Sequence, residues 1–188
     1  MTMTRNQILH SLASDKDIQT ILKILQELDL KDSWLCAGVV RNFIWNILSD
    51  KPGFDWQTDV DIIFYDQKLT WEDTNIIEEK LKESHPDYRW ELRNQVYMHR
   101  YNPNTQPYTS SRDAMSRYPE TCTAIGLRLD AFGQLELFCP YGLDSIRSFE
   151  IRPTPSFKED QEKLAIYKSR LAKKDWLIKW PQLSIYCE

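Results

Sequence analysis

The sequence predicts an α/β protein with a mixed, mostly antiparallel sheet and helices packed on one face. Apolar residues recur with helical spacing in four segments (17–30, 39–48, 71–84 and 158–174), and short apolar runs between them have the pattern of strands. The chain has 188 residues, of which 41% are hydrophobic. This is enough to bury a core, so we expect a single domain over residues 1–188.

The composition and charge of the chain indicate which kinds of partner and compartment to expect. The formal net charge of -4 argues against a protein that wraps nucleic acid, because that role normally requires a basic excess, so long nucleic acid is not an expected partner. No apolar run has the length of a membrane span, and the N-terminus lacks the apolar core of a signal peptide. We therefore expect a reducing cytoplasm and no membrane. The four cysteines lie far apart without a C-x-x-C pair, so a structural zinc site is not expected.

The first half of the chain alternates helices and strands. Residues 17–30 form a predicted helix, with Ser14 or Asp15 as its cap. Residues 34–37 form a short buried strand, Gly38 a turn, and residues 39–48 a second helix. The segment 59–65 begins as alternating acidic and apolar residues and continues apolar, which is typical of a strand that runs from a cleft into a core.

The second half starts with a predicted charged helix over residues 71–84, with Thr70 as its cap. Ile76, Ile77 and Leu81 are expected to face the core. A third strand is expected over residues 89–98. A loop over residues 101–119 follows, with a short helix at 111–118. Residues 123–129 and 134–138 read as a hairpin, and a C-terminal helix spans about 158–174.

The order strand, glycine turn, helix and strand places two carboxylates beside a helix start. Side chains two apart on a strand point to the same face, so Asp59 and Asp61 project together. Two hard oxygen ligands at this spacing can share Mg²⁺, which prefers carboxylates, water and substrate phosphates. We therefore predict Asp59 and Asp61 as ligands of Mg²⁺ or Mn²⁺.

The turn supplies the complementary half of a phosphate site. Gly38 allows a ligand close to the backbone, and the free N–H groups at the start of the helix, around Val39, favour an anion. Arg41 lies one turn into that helix, within reach of a phosphate, and Asn42 beside it is a further candidate. The predicted nucleotide-binding residues are thus Gly38, Val39, Arg41 and Asn42.

Two motifs resemble a known family. Residues 37–42, AGVVRN, are similar to the Gly-Gly-x-Val-Arg-Asp turn of tRNA nucleotidyltransferases and poly(A) polymerases, with Ala37 and Asn42 as departures. With the acidic pair, they resemble the signature of the polymerase-beta-like nucleotidyltransferase superfamily. The segments 94–99, 108–114, 119–124 and 140–144 resemble small bacterial nucleotidyltransferase-like proteins of unassigned substrate. The resemblance covers roughly residues 17–185 and implies the nucleotidyltransferase fold.

Metal-dependent transferases usually use a third carboxylate, and the chain offers three candidates. Glu91 stands first because it lies on the strand after the third helix, where the order of elements in the superfamily places it. Alternation puts Trp90 and Leu92 on one face of that strand and Glu91 on the other. Asp130 at the hairpin tip and Glu136 in the hairpin are the competitors.

These features predict transfer of a nucleoside monophosphate from a nucleoside triphosphate to an acceptor hydroxyl or phosphate, with Asp59, Asp61 and Glu91 as catalytic residues. The sequence does not identify the acceptor, which could be a small molecule, a protein side chain or an RNA end. One alternative is a non-catalytic protein that retains the fold to bind nucleotides or a partner. Another is a metal-dependent phosphohydrolase with the same carboxylates.

Overall fold

The computed structural model describes residues 3–187. Its helices are α1 (Arg5–Ser14), α2 (Lys16–Glu27), α3 (Gly38–Leu48), α4 (Trp71–Ser84), α5 (Gln95–Met98), α6 (Ser111–Ser116), α7 (Asp144–Arg147), α8 (Pro155–Lys158), α9 (Gln161–Ala172) and α10 (Trp176–Lys179). Its strands are β1 (Trp34–Cys36), β2 (Val60–Phe64), β3 (Trp90–Asn94), β4 (Gly126–Leu129), β5 (Leu135–Phe138), β6 (Glu150–Ile151) and β7 (Ser184–Ile185).

Within residues 3–187, five strands form one sheet in the order β3-β2-β1-β4-β5. Strands β2 and β3 are parallel, and the other neighbouring pairs are antiparallel. Helix α4 makes the crossover that a parallel pair requires. Strands β6 and β7 form a separate parallel pair. The predicted mixed, mostly antiparallel sheet is confirmed.

The two faces of the sheet are covered differently. The main core lies on one face, where Leu35, Ile62 and Leu92 pack with side chains of helices such as α2 and α3. A smaller cluster on the other face joins Trp34, Cys36 and Ile63 of the sheet to Met115 of α6. Because side chains alternate along a strand, Asp61 shares the face of Ile63, the less covered side.

The described elements differ from the predicted ones in several places. Helix α1 was not predicted; a capping box between Thr4 and Gln7 starts it, and it buries only Ile8 and Leu12, too few residues for a clear apolar stripe. Strand β3 ends at Asn94, whose side chain caps the helical turn α5, so the predicted strand to residue 98 was too long.

Two helix predictions also need correction. Helix α4 and its cap Thr70 were predicted correctly, but Ile76 is exposed and not inward, while Leu81 is buried. The C-terminal helix begins at Gln161 because Asp160 caps it, and the preceding turn α8 is separate. No helix within residues 3–187 has the length and apolar character needed to cross a membrane.

Candidate active site

The turn between β1 and α3 is held in an uncommon conformation. Ala37 has φ 58° and ψ -121°, a region that residues with a Cβ rarely adopt. Its N–H donates to the Ile125 carbonyl (2.9 Å), and its carbonyl accepts from the Arg41 N–H (3.0 Å). These bonds fix the turn, so α3 starts at Gly38 with its N-terminus beside the end of the sheet.

Gly38 lies directly beside the acidic pair. A Cβ at Gly38 would stand 3.7 Å from the Asp61 carboxylate and 3.5 Å from the Thr58 methyl group. These distances are ordinary van der Waals contacts, so a side chain would fill the space without a clash. Glycine leaves that space open between the start of the helix and the carboxylate.

The two aspartates differ in their surroundings. Asp59 is half exposed and pairs with Arg89 at 3.0 Å. The pKa of Asp61 is raised to about 7, first by burial and then by the negative charges of Glu91 and Asp59. Arg41 and the Gly38 N–H oppose this rise. Asp61 therefore lies in a site where an additional positive charge would be stabilising.

Glu91 occupies the strand next to Asp61. The parallel register of β2 and β3 pairs Asp61 directly with Glu91, so the two side chains share a face. Glu91 is 45% exposed, with Arg93 at 3.7 Å. The structure therefore brings Glu91 close enough to Asp61 for their charges to interact.

The competing carboxylates lie elsewhere. Asp130 accepts from the N–H groups of Phe132 and Gln134, both at 2.8 Å, and so closes the hairpin turn. Glu136 lies on the opposite edge strand, β5, where it pairs with Arg112 and Arg128. Of the three candidates, only Glu91 stands on a strand adjacent to β2.

The carboxylates suit a divalent metal that is shared with a substrate. Asp59 and Asp61 supply hard oxygen donors, and a cation would offset both causes of the raised pKa of Asp61, its burial and the nearby negative charges. No three His, Cys, Asp or Glu side chains in the described part of the chain gather into a metal-binding group. This donor set fits Mg²⁺ or Mn²⁺, which complete their coordination with water and substrate phosphate.

Arg41 is a buried residue, 3% exposed. Its guanidinium lies 4.9 Å from the Trp45 ring centre and 4.2 Å from that of Trp176. Its Nη1 donates to the Thr123 hydroxyl at 2.7 Å, and Nε and Nη2 donate to Asn42 Oδ1 at 3.1 and 2.8 Å. These contacts use three of the five N–H groups of the side chain. The guanidinium is thus fixed in place, and it still has N–H groups that could donate to a ligand.

The other two predicted nucleotide-binding residues have internal roles. Besides accepting from Arg41, the Asn42 amide donates to the Thr58 hydroxyl at 3.1 Å. The Val39 side chain belongs to the main core. Asn42 therefore orients Arg41, while Val39 could offer only its backbone to a ligand.

A cavity of about 270 Å³, here called the Asp61 cavity, connects these residues with the end of the chain. One side, the acidic wall, includes Gly38, Asp59 and Asp61; the other, the basic wall, includes Arg170, Lys174 and Lys179. Glu91 is not among the lining residues. The basic wall was not predicted, although Arg170 and Lys174 have the i, i+4 spacing that would put both side chains on one face of the predicted helix 158–174; in the structure, Lys174 lies just beyond the end of α9.

The three cations of the basic wall are partnered unequally. Arg170 pairs with the fully buried Glu120 at 2.7 Å, and Lys179 with Asp55 at 3.4 Å. Within residues 3–187, no salt bridge reaches Lys174. Burial lowers the pKa of Lys174, and the charges of Arg170 and Arg41 lower it further. An anion would stabilise the charged form of Lys174.

Comparisons with known proteins agree with this geometry. A family model described as nucleotidyltransferase matches residues 23–185. A structure solved by NMR and described as a CCA-adding enzyme head domain is 52% identical in sequence. It has a TM-score of 0.93, and the match covers 97% of this chain and 96% of that chain. No curated protein matches the sequence.

A more distant structure shares the fold. The CCA-adding enzyme of Bacillus stearothermophilus in complex with CTP is 18% identical, with a TM-score of 0.61. The match covers 92% of this chain but 41% of the enzyme chain, so the present protein spans less than half of that enzyme. The family match over residues 23–185 and the 52% identity to the head domain show that the chain belongs to the nucleotidyltransferase family of enzymes.

Proposed function

We propose that this protein transfers a nucleoside monophosphate from a nucleoside triphosphate to an acceptor, with release of pyrophosphate. The observation that carries the proposal is the Asp61 cavity, where a carboxylate pair beside a helix N-terminus faces the same space as several cations. A metal triphosphate has the matching charges, since its metal suits the carboxylates and its phosphates suit the cations and the helix N-terminus.

The acidic wall would hold the metal end of the substrate. Asp59 and Asp61 would ligate Mg²⁺ or Mn²⁺ together with phosphate oxygens. When bound, the ion supplies charge neutralisation at the reacting phosphate. The free N–H groups at the start of α3 would donate to the same phosphates.

The basic wall would hold the leaving group. Lys174 has a lowered pKa and no salt bridge in the described residues, whereas Arg170 and Lys179 each pair with a carboxylate. Of these three cations, Lys174 would therefore be stabilised most by a bound anion. Arg41 retains unused N–H groups and lines the same cavity. Together they would balance the negative charge that moves onto pyrophosphate as the bond to the α-phosphorus breaks.

Glu91 would assist the acceptor. In the transfer step, the acceptor oxygen forms a bond to the α-phosphorus, the bond to the bridging oxygen breaks, and the acceptor gives up its proton. Glu91 is accessible and adjacent to Asp61, so it could take that proton as a general base. Its place outside the lining of the Asp61 cavity suits a group that faces the acceptor and not the triphosphate.

The acceptor stays open among a small molecule, a protein side chain and an RNA end. The RNA end gains support from the similarity to a CCA-adding enzyme head domain. The net charge of -4 favours a short acceptor over a long RNA, because binding a long RNA normally requires a basic excess. Location in the cytoplasm stays a prediction.

Two alternatives remain from the sequence. A nucleotide-binding protein without activity is favoured by the absence, in the described residues, of a three-ligand metal group. A phosphohydrolase would use the same carboxylates but would need no acceptor.

Labelled substrate separates these possibilities. Each of the four nucleoside triphosphates, labelled at the α- or the γ-phosphate, is incubated with the protein, Mg²⁺ and a cell extract, and again with short RNAs in place of the extract. We expect the α-label alone to enter an acceptor, with equal release of pyrophosphate. Release of inorganic phosphate without an acceptor would support the hydrolase, and Mg²⁺-dependent binding without turnover would support the non-catalytic protein.

A further inference from the structure

A second hollow adjoins the Asp61 cavity. It has a volume of about 490 Å³ and shares Gln57, Lys179 and Trp180 with that cavity. Its own walls are mainly apolar and include Pro52, Phe54 and Trp56. We call this hollow the aromatic notch. A molecule with one charged end and one flat apolar end could therefore occupy both spaces at once.

Trp56 is the most exposed aromatic residue of the notch, at 52%, yet its orientation is fixed. Its ring stacks on Tyr88 at 5.2 Å with an interplanar angle of 8°, and Phe54 contacts it edge-on at 5.2 Å. The Tyr88 hydroxyl donates to Asp17 at 3.0 Å, which anchors the stack to α2. An exposed indole held by packing is a preformed surface for another ring.

The floor of the notch is also fixed before any ligand binds. The Asn46 amide donates to the Gly53 carbonyl and accepts from the Trp180 indole N–H, both at 3.1 Å. A Cβ at Gly53 would lie 2.4 Å from the Phe43 ring, so this close packing needs glycine. The loop that carries Trp56 is thus tied to the C-terminal residues, as expected of a preformed ligand site.

We propose that the aromatic notch binds the nucleobase of the nucleoside triphosphate whose phosphates lie in the Asp61 cavity. This inference rests on the proposed function. A nucleotide joins a charged phosphate chain to a flat ring, and the two connected hollows divide in the same way. Trp56 would stack on the base, while Gln57 and Lys51 at the rim offer polar groups to its edge.

The test compares a ligand that has a base with one that has none. Affinities of the four nucleoside triphosphates and of inorganic tripolyphosphate are measured by calorimetry with Mg²⁺ present. We expect Trp56→Ala to weaken the best nucleoside triphosphate about 10-fold, because the loss of one base-stacking ring typically costs that much. Tripolyphosphate should bind this variant as it binds the wild type, which also shows that the variant is folded.

Two further variants serve as controls. Trp56→Phe keeps an aromatic ring and should retain most of the affinity. Trp71→Ala removes another exposed tryptophan, 38% exposed at the start of α4 and outside both hollows, and should change nothing. The indole N–H signal of Trp56, identified by its absence in Trp56→Phe, should shift with the triphosphate and much less with tripolyphosphate.

The outcomes separate this inference from the proposed function. Unchanged affinity of all four triphosphates for Trp56→Ala would overturn the base site and leave the nucleotidyltransferase proposal standing. Equal weakening of triphosphate and tripolyphosphate would show a structural role for Trp56 and would also overturn the base site. If the wild type binds neither ligand with Mg²⁺, both proposals fail together.

Discussion

The two walls of the Asp61 cavity have opposite charge and opposite origins. The acidic wall comes from residues 38–61, which are close in sequence and follow one another as turn, helix and strand. The basic wall comes from residues 170–179, in α9, α10 and the segment that joins them. One wall is a local motif, and the other exists only because the chain end folds back against α3.

Each wall nevertheless groups charges of the same sign. The pKa of Asp61 is raised and that of Lys174 is lowered, in both cases first by burial and then by like charges nearby. Such perturbed groups are common at functional sites, because a ligand of opposite charge relieves them. Each wall therefore holds one charged group that a ligand of opposite charge would stabilise, Asp61 in one and Lys174 in the other, and the following changes test each wall separately.

The largest expected effect is on the acidic wall. Replacing both Asp59 and Asp61 with Asn removes the carboxylate ligands, so Mg²⁺-dependent binding of nucleoside triphosphate should be abolished. Calorimetry with Mg²⁺ and with a chelator measures that component. Asp66→Asn, just beyond the far end of β2, is the matched control. If the double variant binds as the wild type does, the metal lies elsewhere.

Glu91 is paired with Asp61 in the sheet, outside the cavity lining, and is the proposed general base. We expect Glu91→Gln to lower the transfer rate about 100-fold while triphosphate affinity changes little, since a general base acts on the chemical step. Glu136→Gln, on the opposite edge strand, should leave the rate near that of the wild type. A larger loss from the Glu136 variant would move the third carboxylate to β5.

On the basic wall, Lys174 gives the cleanest test. Lys174→Ala should weaken triphosphate binding about 10-fold, the cost of one hydrogen bond to a charged group. Lys173→Ala next to it, exposed like Lys174 but outside the cavity lining, should have little effect. Equal losses from Lys173→Ala and Lys174→Ala would indicate only general charge attraction.

Arg41→Ala should weaken triphosphate binding by about 1.5 to 3 kcal/mol, but it also removes packing between Trp45 and Trp176.

The buried charge of Asp61, together with the repulsion from nearby carboxylates, should lower the stability of the fold at high pH. Asp61 has a pKa of about 7 in the folded protein against 3.8 for the free side chain. The folded state therefore holds a proton that the unfolded state has lost, and stability falls as pH rises from about 4 to 7. In metal-free protein, Asp61→Asn should add about 1 to 3 kcal/mol at pH 8 and much less at pH 5.

Denaturant unfolding at the two pH values, with chelator present, measures this difference. Asp66→Asn again serves as the control, because it lies outside the charge cluster. A stability gain from Asp61→Asn that is equal at pH 5 and pH 8 would contradict the raised pKa of Asp61.

The smallest effect concerns the turn that supports the acidic wall. Ala37 has a positive φ of 58°, so Ala37→Gly should stabilise the fold by about 1 kcal/mol after the flexibility of glycine is deducted. Ala165→Gly in α9 should have the opposite sign, because it only weakens a helix. Thermal unfolding of both variants checks this, and destabilisation by Ala37→Gly would show that the turn is unstrained.

Much of the fold and half of the site could be predicted from sequence. The predictions succeeded where short segments determine the outcome, as with the Thr70 cap and the strand before Gly38. They failed where distant residues decide. The burial of Arg41 depends on Trp176, and the position of Lys174 in the cavity lining depends on how the segment after α9 folds. Helix α1 was missed because it buries only two residues.

The hydrogen bond between Asn46 and Trp180 joins residues 134 positions apart. During synthesis at about 5 to 20 residues per second, roughly 6 to 24 s separate the emergence of Asp61 from that of Trp180. Through this interval the growing chain carries the carboxylates without the lysines and arginine that complete the cavity. The nascent protein thus presents its anionic groups to solvent well before it has a place to hold a triphosphate.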